Sequence, residues 1–236
     1  MQLLDGNGDN DSKFSGKDSE IRFLANLESQ PADWLWRTRP VHYTLNSQRY
    51  RAAEWDSYDW SNTILVFGCS LVFGTGVDDS ETLPYYLSKI TGFPTANLGM
   101  GASGLFFHMV NSTILKENKI NPKAVVYVWP DRSRQIEFGD EFTVAHHGAW
   151  KVEQEWLKAL ILNDTHNRHW AKYLIRNMRT LWDCPIVEAS WYDDMCELTG
   201  AIKLKIIDHA RDCSHPGPES LKEAANLIAN KLVLKE

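Results

Sequence analysis

The sequence predicts an α/β protein that folds as a three-layer α/β/α sandwich around a mostly parallel central sheet. Residues 64–67 and 124–129 are short, continuously apolar runs, which are typical of strands buried on both faces of a sheet. Residues 95–98 and 185–190 are two further predicted strands. Stretches with apolar residues at helical spacing separate these strands, and such alternation favours a parallel sheet.

The N-terminal part of the chain divides by composition into two regions. Residues 1–20 are rich in Gly, Asp, Asn, Ser and Lys, and we predict a disordered polar tail. Its acidic residues are spaced as in a calcium-binding loop, but Asn10 and Gly16 stand where an EF-hand requires glycine and glutamate. Residues 21–60 are rich in aromatic side chains, and we expect this extension, with an extended segment at 41–45, to pack on the core.

The helices are predicted from apolar periodicity and from the residues at their ends. Residues 82–90 form a helix with Pro84 in its first turn, and Gly92 follows its end. A helical insertion is predicted at about 140–182, where it would act as a lid or as a wall of a pocket. The other predicted segments are helices at 105–118, 151–162, 166–182 and 219–234, and a short segment at 205–207.

Two polar motifs flank this predicted sheet. Ser70 stands just past the first predicted strand, in a glycine-rich turn that contains Gly68 and Gly74. Downstream, Asp212 and His215 are three residues apart on one short loop before the last helix. An ordinary strand-to-helix connection also uses glycines and small polar residues. A serine, a histidine and a carboxylate are, however, the parts of an activated nucleophile, and together they predict acyl transfer.

With these motifs the chain resembles the GDSL or SGNH hydrolases, a family of serine esterases and acyl hydrolases with a flavodoxin-like α/β fold. The first family block, Gly-Asp-Ser-x-x-x-Gly, is matched by residues 68–74, and the last block, Asp-x-x-His, by residues 212–215. The resemblance implies that residues 61–236 form the hydrolase-like domain. Further matching positions lie at residues 46–51, 77–82 and 97–99.

The resemblance implies a role for each residue of the site. Ser70 would be the nucleophile, His215 the base that accepts its proton, and Asp212 the carboxylate that orients the histidine. The backbone N–H groups of Ser70, Gly101 and Ala102 would form the oxyanion hole. The glycine-rich segment that contains the last two residues is equally expected where a helix begins close to a strand. This mechanism requires no metal and no organic cofactor.

Two departures from the family pattern affect the expected chemistry. Pro130 stands where the third block, Gly-x-Asn-Asp, has an asparagine whose side chain donates to the oxyanion. Arg132 and Arg134 are the nearest residues that could replace this donor, although surface salt bridges would explain both. Cys69 replaces the aspartate before the serine, and we expect its thiol to be inert packing.

Composition limits the partners of the protein. The formal net charge of -6 argues against an extended nucleic-acid surface, so we expect no nucleic-acid partner. The four cysteines lack metal-ligand spacing and are expected to be free thiols, and the histidine pairs at 146–147 and 166–169 lack partners at ligand spacing. No apolar run is as long as a membrane span and the N-terminus lacks signal-peptide features, so we expect a cytoplasmic location.

These observations predict a serine-dependent hydrolase that cleaves an acyl or acetyl ester of a small molecule, lipid or carbohydrate through an acyl-enzyme on Ser70. The acyl and alcohol specificity stays open, because the shape of the pocket sets it. The oligomeric state stays open as well. Pro130 favours a second interpretation, in which a hydrolase-like protein binds a ligand or has a structural role with little or no turnover.

Overall fold

The computed structural model describes residues 1–4, 12–139, 143–150 and 154–232. Its strands are β1 (Ile64–Gly68), β2 (Thr95–Gly99), β3 (Ala124–Val128), β4 (Gln135–Phe138), β5 (Val144–His147), β6 (Ile186–Ser190) and β7 (Ile202–Lys203). Its helices are α1 (Glu20–Ser29), α2 (Ser70–Phe73), α3 (Leu83–Thr91), α4 (Leu105–Glu117), α5 (Glu155–Leu162), α6 (Asp164–Thr180), α7 (Asp193–Thr199) and α8 (Pro218–Ala229). In the part of the chain that the structure describes, no helix has both the length and the apolar character needed to cross a membrane.

Five strands form one parallel sheet in the order β2-β1-β3-β6-β7. The remaining two strands, β4 and β5, pair with each other as a separate antiparallel hairpin. With the hairpin set aside, the strand order is the 2-1-3-4-5 order of flavodoxin-like folds. The predicted parallel sheet is therefore confirmed. In this order the segments that follow β1, β2 and β3 meet at one edge of the sheet, where ligands of such folds bind.

Alternate residues of β1 point to opposite faces of the sheet and enter two separate apolar cores. Leu65 and Phe67 lie in one core, which α4 and α6 cover. Ile64 and Val66 lie in the other core, which α3 and α8 cover. The sheet is thus the middle of three layers, as the apolar runs and the helical periodicity of the sequence predict.

The stretch at 140–182 differs from the predicted helical insertion. It contains β5 as well as two helices, and α6 packs against α4 with Leu174, Ile175 and Met178 in the core. Because α6 covers the sheet between β3 and β6, it is a crossover helix of the domain. Helix α7 is not predicted from the sequence, since its 7 residues carry little periodicity. The short segment predicted at 205–207 is also displaced, because the strand there is β7.

The described parts of residues 1–20 are packed, which corrects the prediction of a disordered polar tail. Leu3 and Leu4 are buried in the core that α4 and α6 cover, and Asp18 is buried as well. The polar composition around these few residues conceals their burial in the sequence. Residues 5–11, which contain the start of the calcium-loop pattern, lie outside the described residues, as do the predicted helix start at 151 and helix end at 234.

The aromatic residues of 21–60 enter both cores. Trp36 and Tyr43 lie in the core that α3 and α8 cover, whereas Tyr50 and Trp55 lie in the core that α4 and α6 cover. The segment between α1 and β1 therefore wraps around the sheet and contacts both of its faces. Its side chains reach the carboxyl edge of the sheet as well, through contacts made by the Tyr43 hydroxyl.

Candidate active site

Ser70 lies at the carboxyl edge of the sheet, as the first residue of the short helix α2. The turn that leads from β1 to this helix depends on glycine at two points. A Cβ at Gly68 would come within 2.3 Å of Val72 Cγ2, and Gly74 ends α2 with a φ of 84°. The position of the Ser70 side chain is therefore fixed by backbone packing that glycine allows.

Ser70, His215 and Asp212 form a continuous hydrogen-bond chain. The Ser70 Oγ is 2.8 Å from His215 Nε2, and His215 Nδ1 is 2.6 Å from Asp212 Oδ2. Because an ionised carboxylate only accepts hydrogen bonds, Nδ1 carries the ring proton and Nε2 is left to accept the proton of the Ser70 hydroxyl. An arrangement of this kind can convert a serine hydroxyl into a nucleophile.

Asp212 is completely buried, and hydrogen bonds hold it in its ionised form. Its Oδ1 accepts the backbone N–H groups of Ser214 and His215, each at 3.0 Å. Cys213, between Asp212 and Ser214, has a φ of 55°, which closes the loop tightly around the carboxylate. Burial by itself would raise the pKa of Asp212, but the hydrogen bonds from His215 and Ser214 lower the pKa below its ordinary value.

A buried ion pair between Asp18 and Arg211 fixes the loop at 211–215 from behind. Arg211 Nε and Nη2 donate to the two Asp18 carboxylate oxygens at 3.0 and 2.7 Å, and the two residues are only 1% and 5% exposed. Tyr43 Oη donates to Asp18 Oδ2 over 2.6 Å and accepts the N–H of Gly76. A bidentate pair with further hydrogen bonds is the geometry in which a buried charge pair is stable.

Helix α1 adds direct contacts to the same loop. Arg22 Nε donates to the backbone oxygen of Asp212 over 2.8 Å, and its Nη2 donates to Ser214 Oγ over 2.6 Å. Asn26 Nδ2 donates to the backbone oxygen of Arg211 over 2.9 Å. No local pattern in the sequence indicates these contacts, because Arg22 and Asp212 are 190 positions apart.

Ser70 and His215 open onto a cavity of about 620 Å³. The hairpin and the N-terminal segment both take part in it, since β5 contributes His146 and the segment before α1 contributes Lys17. A cavity of this size is typical of sites for small molecules. Its apolar surface comes from Leu71, Phe73, Met100, Val144 and Trp150.

The backbone N–H groups of Ser70, Gly101 and Ala102 lie at this edge of the sheet, and none of them has an acceptor among the described residues. All three residues line the cavity. Ala102 has a φ of 62°, a left-handed conformation that costs a residue with a Cβ roughly 1–2 kcal/mol. The Met100 N–H anchors the segment by donating to the Gly68 oxygen over 3.0 Å. Free N–H groups beside a serine hydroxyl can stabilise negative charge on a reacting oxygen.

In the region after β3, Arg132 and Arg134 lie in different places, although the sequence gives no reason to prefer one of them as the substitute donor. Pro130 is buried directly after the strand and has no N–H to donate. Arg132 lines a separate groove, where it forms ion pairs with Asp164 and Asp194. This position corrects the expectation that Arg132 could replace the missing asparagine.

Arg134, in contrast, lines the same cavity as Ser70. Its Nη1 donates to the backbone oxygen of Ser103 over 3.3 Å, and its Nη2 donates to Tyr192 Oη over 3.0 Å. The guanidinium carbon lies 5.1 Å from the ring centre of Trp150, which is a favourable distance for a cation–π contact. Arg134 therefore places a positive charge on the cavity wall.

The other candidate residues form no site of their own. Cys69 is buried, and all four cysteines are free thiols. Burial, together with nearby positive charge, lowers the pKa of His146 to about 4 and that of His108 to about 3, so both histidines are neutral at pH 7. Within residues 1–4, 12–139, 143–150 and 154–232, no three His, Cys, Asp or Glu side chains come together in a way that could hold a metal ion.

No protein-family model matches the chain, and no curated protein matches it. The structure is similar to the acetyl xylan esterase Est2A from the rumen bacterium Butyrivibrio proteoclasticus, with a TM-score of 0.48 and 10% identity, covering 72% of this chain and 63% of that chain. It is also similar to the carbohydrate esterase family 2 enzyme of Corynascus thermopiles with its carbohydrate-binding domain. That match has a TM-score of 0.48 and 9% identity, and it covers 71% of this chain and 64% of that chain. The match to AlinE4, an SGNH-hydrolase family esterase, has a TM-score of 0.39 and 15% identity, and it covers 74% of this chain and 96% of that chain.

The chain thus spans less than two thirds of the length of the first two proteins, 63% and 64%. At 9% to 15% identity, these are distant likenesses. They identify neither the activity nor the substrate of this chain, and both are argued below from the geometry around Ser70.

Proposed function

We propose that this chain is a serine hydrolase of the GDSL/SGNH type, which cleaves an ester through an acyl-enzyme on Ser70. The observation that carries the proposal is the hydrogen-bond chain from Ser70 through His215 to the buried Asp212, at a cavity of about 620 Å³. The flavodoxin-like strand order and the motifs at 68–74 and 212–215 support the same assignment.

In the first step the Ser70 oxygen attacks the carbonyl carbon of a bound ester. His215 Nε2 takes the hydroxyl proton as the new C–O bond forms, and Asp212 stabilises the resulting imidazolium through Nδ1. The tetrahedral intermediate then collapses and the bond to the leaving alcohol breaks. The imidazolium gives its proton to the alcohol oxygen, and the acyl group stays on Ser70.

In the second step a water molecule takes the place of the alcohol. His215 accepts a proton from the water as the water oxygen attacks the acyl carbon. Collapse of the second intermediate breaks the bond to Ser70, and the proton passes from His215 to the Ser70 oxygen. Each turnover therefore consumes one water, releases one alcohol and one carboxylic acid, and regenerates the free serine.

The carbonyl oxygen becomes negatively charged in both intermediates, and we assign the N–H groups of Ser70, Gly101 and Ala102 to it. Pro130 cannot supply a further donor from its side chain. Loss of one donor of this kind typically lowers the rate on the order of 100- to 1,000-fold. Arg134 contributes a positive charge to the wall of the same cavity.

Pro130 also supports a second candidate function, a ligand-binding protein of the same fold with little or no turnover. The two functions differ in the need for Ser70. Turnover requires its oxygen as the nucleophile, whereas binding in the cavity requires only a side chain that fits. Loss of the Ser70 hydroxyl therefore separates them.

Hydrolysis of short-chain 4-nitrophenyl acyl esters by purified wild type, Ser70→Ala and Ser61→Ala tests the proposal. Ser61 is an exposed serine whose hydroxyl donates to Asp59, so its variant controls for the loss of a serine elsewhere. We expect equal rates for wild type and Ser61→Ala, and a rate at background for Ser70→Ala. Equal rates in all three proteins would identify a contaminating esterase and favour the ligand-binding function.

A further inference from the structure

We infer that the ester cleaved in this cavity carries a negatively charged oxygen group, in the simplest case a carboxylate, and that Arg134 binds that group. The inference names the substrate class of the proposed hydrolase and rests on that proposed function. It is carried by the charges that line the cavity and by the contacts of the Arg134 guanidinium.

The charged side chains that line the cavity are basic, although the chain as a whole is acidic. Lys17, Arg49 and Arg134 line the cavity, whereas no aspartate or glutamate of the described segments does. The complete chain contains 31 acidic and 25 basic residues. A cleft with one sign of charge and partly apolar walls attracts and concentrates ligands of the opposite sign. This local reversal of charge therefore favours an anionic substrate.

Arg132 and Arg134 show the difference between a paired and an unmatched arginine. Arg132 is ion-paired with two aspartates outside the cavity. Arg134 donates to uncharged acceptors, the Ser103 backbone oxygen and the Tyr192 hydroxyl, and it forms no ion pair with a carboxylate in the described part of the chain. Asp131 also acts on the charge of Arg134, but no hydrogen bond joins these two side chains in the described part of the chain. The buried Nε of Arg134 has no hydrogen-bond partner there, and a bound anion would supply one. Guanidinium groups also match carboxylates in shape.

Arg134 lies close to the proposed reacting centre. It interacts with Cys69, the residue before the nucleophile, and it donates to Ser103, the residue after the proposed oxyanion donors. An anion bound to Arg134 and an ester carbonyl at Ser70 would therefore occupy the same cavity. Apolar side chains such as Leu71 and Met100 line that cavity and fit the carbon atoms between the two groups.

Arg134 could instead act on the oxyanion alone, and the two roles predict different kinetics. A group that stabilises the oxyanion accelerates every ester alike, because the charge forms in each reaction. A group that binds an anion on the substrate accelerates only esters that carry that anion. The ratio of rates for matched anionic and neutral esters therefore separates the two roles.

The test compares kcat/KM for two pairs of esters, corrected for spontaneous hydrolysis. The 4-nitrophenyl half-ester of glutarate, with its charge on the acyl side, is paired with 4-nitrophenyl pentanoate. 4-Acetoxybenzoate, with its charge on the alcohol side, is paired with 4-acetoxybenzamide. We expect at least one anionic ester to exceed its neutral partner by about 10-fold or more at low salt, which is the scale of one charge-assisted hydrogen bond.

Variants of the two arginines sharpen the comparison. Arg134→Gln should slow the preferred anionic ester about 10- to 100-fold and leave its neutral partner much less changed. Arg134→Lys, which keeps the charge but loses the planar fork, should retain part of the preference. Arg132→Gln is the matched control, two positions away, and should leave the ratio unchanged. Lys17→Gln should reduce the dependence of the preference on salt.

Neutral esters that react as fast as the anionic ones in both pairs would overturn the inference. An equal fall for both esters in Arg134→Gln would overturn it too, in favour of the oxyanion role. If no ester is cleaved, the proposed function fails separately, and calorimetric titration of glutarate into the wild type and Arg134→Gln decides the question of the anion. Binding to the wild type alone would support the inference, and no binding to either would refute it.

Discussion

The two sides of the cavity around Ser70 are built in different ways. The base side, residues 211–215, is a loop that the buried Asp18 and the partly exposed Arg22 and Asn26 of α1 hold in place. The oxyanion side, residues 100–104, offers backbone N–H groups to the cavity, and Arg134 is a cation that contacts it. One side is thus fixed by side chains from distant positions, and the other by local backbone conformation.

This difference indicates where the site tolerates change. The imidazole of His215 must keep both its orientation and its tautomer, and these depend on every side chain behind it. The backbone N–H groups of residues 100–104 depend on local backbone conformation, which Ala102 adopts despite its Cβ. We therefore expect substitutions on the base side to have the larger effects.

The largest effect is expected for His215→Ala, which removes the base itself. It should lower kcat on the order of 10,000-fold or more, because a serine without its base is a poor nucleophile. His209→Ala, at an exposed histidine close to the same loop, is the control and should retain activity. Ester hydrolysis and thermal unfolding of both variants check this, and activity retained by a folded His215→Ala would disprove the role of the base side.

Asp18→Asn should have the next largest effect, on stability. It leaves the buried Arg211 without its counter-charge, which should lower the free energy of unfolding on the order of 3 kcal/mol. Asp183→Asn is a matched control, because Asp183 pairs with Lys116 but is 96% exposed, and it should change stability by less than about 1 kcal/mol. Urea unfolding measures both, and similar values would show that the buried pair does not fix the base side.

Acid should lower the stability of the folded protein, because two histidines near the oxyanion side are neutral in the folded state. His108 Nε2 is 3.5 Å from Ser103 Oγ, and His146 lines the cavity near Arg134. Their folded-state pKa values, about 3 and about 4, lie below the ordinary 6.5, so below pH 6.5 the unfolded chain binds protons that the folded protein does not. The free energy of unfolding should therefore fall as the pH decreases from 6.5 towards 4, by up to about 1.4 kcal/mol per pH unit for each histidine.

Urea unfolding at neutral pH and at pH 5 measures this loss. His108→Gln, which cannot take up a proton, should show a smaller difference between the two pH values than the wild type. An equal difference in both proteins would mean that His108 does not contribute to the acid sensitivity.

Pro130→Asn should have the smallest effect among these changes, and it should increase the activity instead of lowering activity or stability. It restores an amide donor at the position where the family has one, and we expect kcat to rise by about 10-fold, less than the full value of an optimised donor. Steady-state kinetics with a neutral ester checks this. A kcat that stays the same or falls would show that the oxyanion side does not lack a donor at this point.

Much of the fold can be predicted from the sequence, because its strands are short apolar runs and its helices have clear ends. β1 and β3 follow from their continuous apolar residues, and α3 follows from the Pro and Gly at its ends. The hairpin of β4 and β5 cannot be predicted in this way, because its strands have 4 residues each and are partly exposed. Leu3 and Leu4 are missed because polar residues surround them.

Some residues of the candidate site can be predicted from the sequence, and others cannot. Ser70, Asp212 and His215 stand in recognisable motifs, so the sequence alone brings them together as a hypothesis. Asp18 and Arg211 are separated by 193 positions, and nothing local indicates that they pair. Arg132 and Arg134 are indistinguishable in the sequence, since only the path of the chain after β3 decides which of them lines the cavity.

Labelling of the purified protein with a fluorophosphonate probe, followed by peptide mapping in a mass spectrometer, is the most direct test of Ser70 as an activated nucleophile. We expect one covalent adduct, at Ser70, which forms in the wild type and in His209→Ala and is absent from Ser70→Ala and His215→Ala. A folded wild type that stays unlabelled, or that is labelled at a different serine, would contradict the central claim.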